Sequence, residues 1–149
     1  MISKILVPTD GSKAASKAVA YAATLAKQTG ASITIVSVID KSTFMPQAVP
    51  AVSISKKLME PIEDYLKIAA DAYVDGAKKL CAKQGIQTNT VVRTGRPVNE
   101  IIKEAEKSKV DLIVVGSRGQ SALKAAVLGS VTFGVINKES RIPVLVVRK

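Results

Sequence analysis

Two stretches of this 149-residue chain carry groups that could hold a phosphorylated ligand. The first is Gly116-Ser117-Arg118-Gly119, followed after nine residues by Gly129-Ser130, which completes the pattern G-x2-G-x9-G-[ST]. Glycine lets backbone N–H groups approach a ligand closely, and a helix starting near Ser130 would add unpaired N–H donors and a partial positive charge. Ser130 and Thr132 add hydroxyls, and Arg118 adds a cation able to pair with phosphate. The glycines alone would also fit a tight turn and a helix start. Arg118 between two of them, directly after the apolar run 111–115, favours the phosphate reading. The second stretch is Pro8-Thr9-Asp10-Gly11-Ser12. Asp10 could accept from a ribose hydroxyl or bind Mg²⁺ directly or through water, while Asp10 or Ser12 could equally cap a helix. Thr9 offers a polar contact, and Pro8 fixes the turn.

Other chemistries are excluded by what is missing. The chain has no histidine, which removes Ser-His-Asp and Cys-His catalysis and most zinc sites. Its single Cys81 cannot form an internal disulfide, fits a reducing cytoplasm, and reads as a small buried apolar group rather than a reactive thiol. There is no Walker loop, and no GxGxxG follows the first strand. The net charge of +10 could serve an anionic partner, but the lysines stand singly or in pairs on helix faces. Without a long basic run or interleaved aromatics, the pattern speaks against nucleic acid. No apolar run approaches the ~20 residues that span a bilayer, and the chain enters a strand pattern directly, without a signal peptide.

The elements that must position these groups alternate. Residues 2–7 read as a strand, 15–26 carry helical spacing closed by Gly30, and 33–38 form a second strand. Residues 40–54 contain Pro46 and Pro50 and read as a long loop, where Phe44 and Met45 could cover an adenine or pack on the domain or on a partner chain. Ile62, Leu66, Ala69, Tyr73, Gly76 and Leu80 mark one stripe of a long helix that Gly85 ends. Residues 86–93 alternate as a third strand, and Pro97 opens a helix whose inner face is Val98, Ile101, Ile102 and Ala105. Residues 110–115 make a fourth strand, Val131, Val135 and Ile136 suit a last helix, and 143–147 a fifth strand. Such alternation builds a parallel sheet with right-handed crossovers, in one domain over residues 1–149. Ligands of these sheets bind beyond the carboxyl ends of the strands, where both stretches fall.

The residues Ile5-Leu6-Val7-Pro8-Thr9-Asp10-Gly11-Ser12, Gly95-Arg96-Pro97 with Glu100-Ile101-Ile102, Asp111-Leu112-Ile113-Val114-Val115-Gly116, the glycine loop and Pro143-Val144-Leu145-Val146-Val147 follow in family order. Through them the whole chain resembles the universal stress protein family. The resemblance implies a doubly wound five-stranded parallel α/β sheet of order 3-2-1-4-5, with helices on both faces. It implies ATP as ligand with Mg²⁺, since the binding members carry this glycine pattern. Carried over by position, Pro8, Thr9 and Asp10 would line the adenosine and metal side, with Asp10 the metal residue. Val38 would contact adenine through its backbone. Gly116, Arg118, Gly119, Gly129, Ser130, Val131 and Thr132 would hold ribose and phosphates. The last strand would pair with its copy in a homodimer. The expectation is a cytoplasmic, nucleotide-dependent stress or signalling dimer. Hydrolysis is not implied: no second carboxylate stands near Asp10 in sequence, so any ATPase activity would be slow or partner-dependent. The alternative is a regulatory or scaffold dimer independent of nucleotide. An adenylyl-transferring enzyme of related fold would need a pyrophosphate loop such as SGGxDS after the first strand, which is absent.

Overall fold

The apolar runs become strands because their side chains alternate between two covered faces. The computed structural model describes residues 1–41, 56–117, 129–138 and 140–148, the side chains of 56–60 excepted. Along the chain run β1 (Lys4–Pro8), α1 (Lys13–Thr29), β2 (Ser32–Ile39), α2 (Lys56–Ala82), β3 (Thr88–Thr94), α3 (Pro97–Lys107), β4 (Leu112–Gly116), α4 (Ser130–Asn137) and β5 (Val144–Val147). All pair in parallel in the order β3-β2-β1-β4-β5, the doubly wound arrangement expected. Ile5 and Val7 of β1, Ile33 and Ile35 of β2 and Leu112 and Val114 of β4 face α1 and α2. Leu6, Val36, Ile113 and Val115 face α3 and α4. Full burial of each such Ile, Leu or Val contributes about 1.5–3 kcal/mol.

The chain reverses direction across the sheet between β1 and β4, because β2 and β3 lie to one side of β1 and β4 and β5 to the other. Three local devices fix the ends of elements near that switch. Ser12 caps α1, its Oγ accepting from the Ala15 N–H at 3.1 Å, while Asp10 Oδ1 accepts from the Ser12 N–H at 3.0 Å. So of the two capping candidates Ser12 takes the helix and Asp10 braces the turn before it. Pro97 opens α3, as its lost N–H and fixed φ allow. Asp111 accepts from the N–H groups of Ser3 and Lys4 at 2.8 and 3.0 Å, joining the starts of β1 and β4. Those bonds hold its carboxyl below the ordinary carboxylate range.

Two helices differ in detail from the sequence pattern. In α2 the buried line is Ala70, Val74, Ala77 and Cys81, one residue on from the expected stripe. Tyr73 and Leu80 flank it, and Gly76 is exposed. The small residues Ala70, Ala77 and Cys81 let the helix lie close to the sheet, and they carry a weak hydrophobic signal. Burial pushes the Cys81 thiol up, which suits its inert, apolar role. In α3 the inner face also holds Glu104, only 4% exposed. Its carboxylate accepts from Arg93 Nη1 at 3.1 Å and from the Ser108 hydroxyl. Arg93 Nε donates to Glu100 at 2.9 Å, which holds that carboxyl below its usual range. The edge strand β3 is thereby tied to α3 by a paired, hydrogen-bonded charge rather than by an orphaned one.

Candidate functional site at the switch point

The carboxyl end of β1 turns away from the sheet after Thr9, whose N–H donates to the Val36 carbonyl at 2.8 Å. From there Pro8, Thr9 and Asp10 form one wall of a cleft of about 140 Å³. Val36 and Val38, two apart on β2 and so on one face, line it beside Val115 and Gly116 of β4. The start of α4 closes it with Gly129, Val131 and Thr132. The cleft therefore brings together eight of the residues expected from sequence: Pro8, Thr9, Asp10, Val38, Gly116, Gly129, Val131 and Thr132. Ser130 faces an adjoining depression, with Asp40, Arg96 and Asn99, that shares Pro97 and Val131 with the cleft. Arg118 and Gly119, like Phe44 and Met45, lie outside the described residues.

Sequence reasoning missed the apolar remainder of the lining: Ala15, Val36, Pro97, Ile101 and Val115. Parity was the available signal, since Val36 precedes Val38 by two on the same strand face. Walls of Val, Ile and Pro around a few polar groups are the usual make-up of a small-molecule site.

Backbone geometry decides what each polar group can offer. The Gly129 N–H donates to the Ser117 carbonyl at 2.7 Å, so it closes the neck of the intervening segment. The Phe133 N–H bonds back to the Gly129 carbonyl at 2.9 Å, which starts the α4 ladder. The N–H groups of Ser130, Val131 and Thr132 thus have no acceptor within the helix, and the positive end of the helix dipole lies there. Thr132 Oγ1 donates its proton to the Gly116 carbonyl at 2.6 Å. Toward a ligand its hydroxyl can only accept, and its backbone N–H donates. At Gly116 a Cβ would stand 2.7 Å from the Ala14 carbonyl oxygen, so only glycine lets β4 end this close to α1.

Among the described residues no three His, Cys, Asp or Glu side chains cluster as a metal cage. A single braced carboxylate, Asp10, beside a helix start instead fits a Mg²⁺ carried mostly by phosphate oxygens and water. No helix among the described residues is long and apolar enough to cross a membrane.

A doubly wound parallel sheet with a glycine-lined cleft at its switch point defines the class: an α/β protein of the kind that binds ligands beyond its strand ends. The chain belongs to the universal stress protein family, whose model matches residues 1–148. It is 37% identical over 149 residues to universal stress protein MJ0531 of Methanocaldococcus jannaschii, covering 100% of this chain and 84% of that protein. The solved structure of hypothetical protein MJ0577 is similar with a TM-score of 0.84 at 32% identity, covering 100% of this chain and 97% of the other. A universal stress protein solved in complex with cAMP is similar with a TM-score of 0.70 at 26% identity, over 98% of this chain and 97% of the other.

Proposed function

We propose that this chain binds an adenine nucleotide, ATP with Mg²⁺, in the switch-point cleft, and works as a cytoplasmic stress or signalling homodimer with at most slow hydrolysis. The observation that carries the reading is the convergence of Asp10, Val38, Gly116 and the α4 start on one cleft. Its walls divide the work. The apolar surface of Val36, Val38, Ile101 and Val115 suits a planar base, and the amides of Ser130, Val131 and Thr132 suit phosphates. Asp10 suits a ribose hydroxyl or the cation. The cation would neutralise phosphate charge, and Arg118 would add a direct ion pair. The cAMP complex of a 26% identical relative supports an adenine nucleotide as the ligand class.

Slow hydrolysis follows from the same residues. Without a histidine anywhere in the chain, only Asp10 among the lining residues could activate water. That carboxylate already serves the turn through the Ser12 N–H.

Titration calorimetry on nucleotide-stripped protein tests the reading. Saturable heat with ATP, strengthened by Mg²⁺, is the expected result. No heat and no thermal shift with ATP, ADP or AMP sinks it and leaves a nucleotide-independent scaffold dimer.

A further inference from the structure

The turn that carries Pro8, Thr9 and Asp10 into the cleft is braced from behind by a residue that touches no part of that cleft. Gly11 adopts φ +78°, the left-handed region. A Cβ built on it would lie 2.4 Å from both Cδ1 and Cε1 of Tyr73 and 3.0 Å from its Cζ. The flat edge of the Tyr73 ring therefore rests on the bare Cα of Gly11. Gly11 is needed twice over, for its backbone conformation and for this close approach.

Everything else that shapes the turn is local. The Gly11 N–H donates to Thr9 Oγ1 at 3.2 Å and the Ser12 N–H to Asp10 Oδ1 at 3.0 Å. Short-range bonds of this kind set a turn's shape but do not fix where it stands relative to the sheet. The ring can, because α2 lies against β2 and β3 and carries Tyr73 on the flank toward α1. Around the ring the packing is open. A cavity of about 250 Å³ lies there, bordered by Thr9, Gly11, Ser16, Ala72, Tyr73 and Gly76. Nothing stands within 4 Å of a Cβ placed on Gly76, one turn along from Tyr73. No other large side chain is stacked behind the turn to take over if the ring is removed.

We infer that Tyr73 is a positioning residue for the ligand site, holding the Thr9–Asp10–Gly11 turn in register with α4 by contact with Gly11. The inference rests on the nucleotide-binding reading for the ligand and on coordinates alone for the contact. It also makes α2 the mechanical partner of the site, although that helix contributes no residue to the cleft.

The test compares Tyr73→Ala, Tyr73→Phe and Val74→Ala in the full chain, by amide hydrogen exchange without ligand and by ATP titration. Val74 is the control: it is buried on the same helix and faces the sheet. Tyr73→Ala should speed exchange of the Gly11 and Ser12 amides and weaken ATP by about tenfold or more, since a pre-formed turn no longer waits for the ligand. Tyr73→Phe should match the unmodified protein in both, because the ring edge makes the contact. Val74→Ala should lower the thermal midpoint and leave both readouts near normal. Unchanged Gly11 and Ser12 exchange in Tyr73→Ala overturns the inference, as does an unchanged ATP affinity. Equal losses in Val74→Ala also overturn it, by showing general loosening. An unmodified protein that binds no ATP overturns the functional reading alone. The exchange arm then still decides whether Tyr73 holds the turn.

Discussion

At Gly129 two demands meet in one residue. Its N–H is committed to the Ser117 carbonyl, and its own carbonyl starts the α4 ladder. A side chain there would project over the helix-start amides, where a phosphate must sit. Gly129→Val should therefore leave the fold intact, because φ −67° and ψ 157° suit a β-branched residue, and should abolish ATP binding. Circular dichroism and calorimetry on one sample check both halves. Normal ATP binding by a folded Gly129→Val chain would make the loop structural only. Of the candidate site, the polar and glycine positions were legible because few residue types can do their work. The apolar lining was not: Ile101 and Val115 serve core and cleft at once, and no sequence signal separates the two duties.

Among the elements, α4 is the one shared between ligand and core. Gly134 lets it approach α3, where a Cβ would stand 2.5 Å from Val98 Cγ2. Valine has little freedom to move aside. Gly134→Ala should destabilise the protein by about 1–2 kcal/mol, even though alanine favours helix by about 1 kcal/mol. Adding Val98→Ala makes room, so the double variant should lose less than the two single losses added together. Urea unfolding of the four proteins measures this, and strict additivity would place the clash elsewhere. Strand and helix types were readable throughout, since Val- and Ile-rich runs alternate with 3.6-residue spacing. The face of α2 was read one residue early, because Ala70, Ala77 and Cys81 form the contact line while the bulkier Tyr73 and Leu80 flank it. Glu104 was not anticipated either: a charged residue in a helix reads as solvent-facing until its partner, Arg93 on another element, is known.

For the whole molecule the open question is the free edge of β5. Its residues do not present that edge equally. The Pro143 carbonyl accepts from Ile113 and the Val147 carbonyl from Ser117, so the odd-numbered residues turn their backbone groups to β4. By alternation Val144 and Val146 turn theirs outward. On the neighbouring α4, Gly134 faces α3, while Ile136 lies about 200° round the helix from it on the opposite flank. Ile136 is 44% exposed and Phe133 61%. An apolar edge beside exposed apolar side chains invites pairing. Under the proposed homodimer, two copies of β5 pair across a twofold axis and cover both. Val146→Pro removes an outward N–H and spares the bonds to β4, so it should yield a folded monomer by light scattering. A monomeric mass for the unmodified protein at tens of micromolar or above would refute the dimer.

The bond from Gly129 to Ser117 has a further consequence, for how such a chain can vary. Ser117 and Gly129 are held at one point, and Ser117 is itself fixed to Val147. The residues between them leave and rejoin the fold through a single neck. Lengthening that span hardly strains the scaffold, since doubling a flexible loop costs only about 0.6 kcal/mol. If the nine-residue gap in the glycine pattern is nevertheless kept, the constraint comes from the ligand that the loop must reach around. The span is then a ruler cut to the ligand, and its length among related chains records whether that ligand is still being held.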